Sequence, residues 1–93
     1  MSVTVKESSF VIDEEHLAAQ VNDIREKLPN EGPEVLLDFF LAQTLDPEGI
    51  RALEELAAAA EAASARIVLR GVNVEMYKVL KLAGLSDGFS FID

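Results

Sequence analysis

No cysteine occurs in the chain, which removes disulfide frameworks and thiolate metal sites at once. That absence suits a reducing compartment, and a cytoplasmic protein is expected. Histidine occurs once, as His16, so a His/Cys metal cluster is lacking as well. Basic residues are scarce: 8 Lys and Arg stand against 17 Asp and Glu, for a formal net charge of −9. A surface this acidic repels phosphate backbones and anionic lipid head groups, which argues against nucleic-acid binding and electrostatic membrane attachment. It suits docking to a basic patch, although solubility alone explains the charge about as well. Long apolar runs are also missing. Stretches such as Val35-Leu36-Leu37 and Ala57-Ala58-Ala59-Ala60 fall far short of the roughly 20 residues of a membrane-spanning helix. The opening Met1-Ser2-Val3-Thr4-Val5-Lys6 has no basic region leading into an apolar one, so neither a secretory signal nor membrane insertion is expected.

What is present suffices for one compact core. The 93 residues, 49% of them hydrophobic, fit a single domain over residues 1–93. Val3 and Val5, then Phe10-Val11-Ile12, read as one bent strand or a short hairpin. Asp13 is placed as the N-cap of a first helix, with Glu14 and Glu15 in its first turn. Leu17, Val21, Ile24 and Leu28 form its apolar stripe. Pro29-Asn30-Glu31-Gly32-Pro33 ends it.

Glu34 to Leu41 is nearly continuously apolar, as expected for a strand buried on both faces of a parallel sheet. Asp46 as N-cap and Pro47 at the first helical position signal a second helix. Its buried stripe is Ile50, Leu53, Leu56, Ala57 and Ala60, and its alanine-rich stretch runs to Ala65. Arg66-Ile67-Val68-Leu69-Arg70 is another buried-type strand, ended by Gly71. Asn73 caps a third helix with Val72, Met76, Val79, Leu80 and Ala83 inward. Gly84-Leu85 is a helix stop with a left-handed glycine. Phe89 to Ile92 is a last short strand. The order implies an α/β fold: a mostly parallel sheet of about four to five strands with about three helices.

Residues with chemistry to offer are few. Thr44, Ser8 and Ser9 carry hydroxyls without a neighbouring base. His16 is expected to be exposed at a helix start. Tyr77, Lys78 and Lys81 give the third helix a mixed outer face. Gly84-Leu85-Ser86-Asp87-Gly88 is a helix stop and turn, not a phosphate loop. No convergent polar pocket for an enzyme or ligand carrier can be named, so no catalytic residue, metal or cofactor is expected.

Leu37-Asp38-Phe39 and Leu45-Asp46-Pro47-Glu48-Gly49-Ile50-Arg51-Ala52-Leu53 resemble the central signature of the STAS family, the anti-sigma-factor antagonists and their relatives. There a buried strand ends in Leu-Asp, and Asp-Ser-Ser/Thr-Gly-Leu opens the next helix. The resemblance continues through Ile67 to Val72 and Val79 to Leu85, and covers roughly residues 34–91. It implies a STAS (SpoIIAA-like) fold whose C-terminal helix is shortened or absent, leaving one edge open to a partner. It also implies a non-catalytic interaction module. In the signalling branch the second Ser or Thr of the signature accepts phosphate; here that position is Glu48 and the preceding one Pro47. Three readings of Glu48 stay open: ordinary helix-start chemistry, a permanent mimic of phosphate, or a docking loop that is no longer switched.

The resemblance points to a partner-binding loop made of Thr44, Asp46, Pro47, Glu48, Gly49, Ile50 and Arg51. Its partner is a kinase-like switch protein or anti-sigma factor, or alternatively the ATPase of a bacterial ABC-type lipid transport complex. A homodimer is compatible with the same sequence. Gly49 costs a helix roughly 1 kcal/mol relative to alanine, which suggests either backbone freedom or close approach of a partner.

Overall fold

The computed structural model describes residues 8–28 and 34–92. In chain order it contains β1 (Ser8–Asp13), α1 (Leu17–Lys27), β2 (Glu34–Leu41), α2 (Pro47–Ala62), β3 (Arg66–Arg70), α3 (Val74–Leu82) and β4 (Ser90–Ile92). The expectations for Val3 to Lys6 and for Pro29 to Pro33 lie outside the described residues. The four strands pair in the order β1-β2-β3-β4, and every pairing is parallel. The α/β class and the parallel sheet expected from the alternation of elements are therefore observed.

This strand order has a consequence for the layers. Successive parallel strands that always step sideways in the same direction, through crossovers of one hand, carry all their helices on one face of the sheet. Burial follows that rule. Phe10 and Ile12, then Val35, Leu37 and Phe39, then Ile67 and Leu69, then Phe91 share the helix-covered face and are buried or packed against the core. The helices contribute Leu17, Val21 and Ile24 from α1, Leu53, Leu56 and Ala60 from α2, and Met76 and Leu80 from α3.

The expectation that β2 is buried on both faces is corrected here. Its residues alternate: Val35, Leu37 and Phe39 are buried, whereas Leu36 and Asp38 are half-buried and Phe40 is 60% exposed. No helix of the described residues covers the second face, so the continuous apolar run spans one dry side and one open side.

The expected start of α1 is corrected as well. The helix begins at Leu17, with His16 in the cap position and no side-chain cap bond. Asp13 remains the last residue of β1, in register with Leu41, and accepts the His16 N–H at 2.8 Å. The stripe Leu17, Val21, Ile24 and Leu28 is fully buried as expected. Helix α2 ends at Ala62, short of Ala65, and Ser64 turns the chain with φ 55°. At the end of α3, Gly84 adopts φ 76°, and the Leu85 N–H returns to the Leu80 carbonyl at 2.8 Å. That is the expected left-handed stop.

Candidate functional site

The segment from Ala42 to Asp46 leaves the C-terminal end of β2 and delivers the chain to α2. In open parallel sheets a crevice forms at this end where the strand order reverses, and the order β1-β2-β3-β4 has no such reversal. Asp46 is extended (φ −89°, ψ 171°), and its Oδ1 accepts the Gly49 N–H at 2.7 Å. Pro47 follows in the first turn, where its missing N–H costs nothing. The expected helix start is thus met bond for bond. Thr44, Asp46, Pro47, Glu48 and Arg51 are exposed, Ile50 is half-buried and Gly49 is buried.

Gly49 is buried against its own chain, which supplies a cause beside backbone freedom and an approaching partner. An added Cβ would meet Leu17 Cδ2 at 3.0 Å and Asp46 Oδ1 at 3.1 Å. The glycine lets the first turn of α2 lie close to α1 and keeps room for the Asp46 cap.

Two residues that the sequence reading did not assign to the site hold the loop from either side. Glu14 Oε1 accepts the backbone N–H groups of Gln43 at 2.8 Å and Thr44 at 3.0 Å. Asn73 donates from Nδ2 to the Gln43 carbonyl at 3.0 Å, while its Oδ1 caps α3 through the Met76 N–H at 2.8 Å. Neither contact is local in sequence, so only the pairing of β1 with β2 and the α3 cap bring them together. Nearby, Asp13 lies 3.1 Å from the His16 ring. Between α1 and the loop, Glu14, Glu15, Leu17, Thr44 and Asp46 line a shallow cleft of ≈ 280 Å³.

The hydrogen bonds from Gln43, then Thr44, hold the Glu14 carboxyl below its ordinary value of 4.5. The His16 backbone N–H does the same for Asp13. Glu14 therefore binds fewer protons in the folded state, so its bracing of the loop is complete above pH 4.5 and fades as the pH falls through its lowered pKa. The Gln43 and Thr44 amide resonances are expected to shift together with a midpoint below pH 4.5, and Glu14→Gln is expected to abolish that titration. A midpoint at or above the ordinary value would contradict the bracing.

The arrangement is an exposed loop tied by hydrogen bonds to Glu14 on one side and Asn73 on the other. Among the described residues, no group of three or more His, Cys, Asp or Glu side chains is placed to hold a metal ion. No helix of the described residues is long and apolar enough to cross a membrane.

Comparison with known proteins agrees with the fold. Residues 10–92 match a family model described as Mlab, STAS domain. No curated protein sequence matches at a significant level. Among solved structures, the STAS domain of a SulP transporter from Vibrio cholerae superposes with a TM-score of 0.78 at 13% identity, covering 98% of this chain and 77% of that one. A sulfate transporter family protein from Wolinella succinogenes gives 0.79 at 18% identity, covering 98% and 80%. An anti-sigma factor antagonist, described as putative, from Thermotoga maritima gives 0.75 at 12% identity, covering 99% and 83%.

Proposed function

The chain belongs to the STAS domain family, and from that premise we propose that it is a non-catalytic docking module that binds its protein partner constitutively through the surface from Thr44 to Arg51. STAS domains are generally interaction modules, found in anti-sigma-factor antagonists and in transporters. The observation that carries the reading is the state of the α2 start. Its loop is held by Glu14 and Asn73, its cap bond is made by Asp46, and the two following positions are Pro47 and Glu48. Neither of those side chains has a hydroxyl to accept phosphate. An anion at a helix N-terminus is favoured by the unpaired N–H groups there, so the single charge of Glu48 suits the fold without any modification.

The partner chemistry follows from the family's two branches. The likeness to an anti-sigma-factor antagonist supports a kinase-like switch protein or anti-sigma factor. A second reading, a STAS subunit bracing the ATPase of a lipid transport complex, is favoured by the match to the Mlab STAS model. The absence of a phospho-acceptor at Pro47 and Glu48 favours it too.

Glu48→Ser separates constitutive docking from a phosphomimic. Constitutive docking keeps partner affinity within about fivefold, because one exposed charge contributes less than about 1 kcal/mol. It also leaves the variant unphosphorylated when incubated with ATP and the partner. A change above about tenfold, with phosphate appearing on Ser at this position, would overturn the constitutive reading.

A further inference from the structure

We infer that the helix-free face of the sheet is a self-complementary surface that joins two copies of this chain about a two-fold axis. The face is built from residues whose neighbours across strands are fixed by the register. Reading from β1 to β4, one row is Val11, Asp38, Arg70 and Ile92. The row below it is Ser9, Leu36, Val68 and Ser90. The lowest is Glu34 beside Arg66. Each row reverses into its own complement about the line between β2 and β3. The outer members are apolar with apolar or serine with serine, and the inner members are acid with base or apolar with apolar.

A two-fold axis along that line keeps every residue at its height and exchanges the strands. It sets Asp38 opposite Arg70 of the second copy, Glu34 opposite Arg66, Leu36 opposite Val68 and Val11 opposite Ile92. Isologous contacts require this kind of pattern, in which residue i meets j and j meets i. Aligned packing of two sheets about 10 Å apart is an ordinary arrangement.

The state of the single chain fits. Val11 is 56% and Ile92 49% exposed, whereas Leu36 is half-buried and Val68 only 6% exposed, so the outer members of the rows carry most of the free apolar surface. Asp38 and Arg70 are register partners, yet no ion pair joins them among the described residues. Asp38 Oδ1 accepts the Phe40 N–H at 3.0 Å, and the Arg70 guanidinium lies 5.8 Å from the Phe40 ring centroid. Glu34 and Arg66 approach only to 3.9 Å. The four charges on the face cancel, so the −9 of the chain is carried by the remaining surface and does not oppose contact here. Helix α2 lies on the other side of the sheet, which leaves the Thr44 to Arg51 surface free in the dimer.

The test is sedimentation equilibrium of the full chain and of two charge variants, Asp38→Arg and Arg70→Glu. A face of this extent predicts a wild-type dimer with a Kd of about 1–100 μM. Each variant alone sets like charges opposite each other and is expected to weaken dimerisation by more than about tenfold. An equimolar mixture of the two variants restores both opposite-charge contacts and is expected to regain the dimer mass, which a misfolded variant could not do. A wild-type chain that stays monomeric to about 1 mM overturns the proposal. So does a dimer unchanged by either variant, or a mixture of the two that remains monomeric.

Discussion

Leu53→Ala is expected to lower the free energy of unfolding by about 2–5 kcal/mol. Leu53 is fully buried in the core between the sheet and its helices. Truncation removes apolar burial and leaves a cavity that close-packed neighbours fill only in part. A chain of 93 residues has a total stability of only about 5–15 kcal/mol, so the loss is a large fraction of the whole. Leu82→Ala is the contrasting case. Leu82 also lies in a helix but is 89% exposed, and its truncation is expected to change stability by no more than about 0.5 kcal/mol. Urea unfolding of both variants checks the pair. Similar losses would contradict the placement of the core on one face of the sheet.

The second large effect concerns docking. In the Thr44→Arg/Glu48→Arg double variant, two long cations stand on the exposed loop and first turn, where the wild type presents a hydroxyl and a carboxylate. The loop is held mainly through its backbone, by Glu14, Asn73 and Asp46, and the Thr44 hydroxyl adds one exposed side-chain hydrogen bond to Glu14. The fold is therefore expected to keep its stability within about 0.5 kcal/mol. If the partner docks on this surface as proposed, the added bulk and the reversed charge are expected to cost about 3 kcal/mol or more, a loss of at least about a hundredfold in affinity.

The start of α2 was legible because its chemistry is local: the capping carboxylate, the proline and the first turn are consecutive residues. The same logic misplaced the start of α1. Asp13 is a competent cap, but strand pairing with Leu41 extends β1 through it. The carboxylate then serves the turn at His16 while Glu14 reaches a loop 29 residues away. Tertiary pairing outweighed local propensity there.

In β2, a continuous apolar run cannot distinguish a strand covered twice from one covered once. That difference depends on strand order, which sends every crossover to the same side. Gly49 was marked by its helix-propensity cost, yet the cause, Leu17 of another helix, lies beyond any local pattern. The open face was hidden for the same reason. Its rows exist only once the register of four strands is fixed.

The central claim is that the surface from Thr44 to Arg51 docks a protein partner. Its most direct test is affinity capture from a lysate of the cells that make this chain, with wild type and the Thr44→Arg/Glu48→Arg variant as parallel baits and quantitative mass spectrometry as the readout. A kinase-like ATPase, an anti-sigma factor or a transporter ATPase is expected to be enriched on the wild type and lost from the variant, with both baits equally folded by circular dichroism. Equal recovery of such a partner on both baits would contradict that claim and place docking elsewhere on the domain.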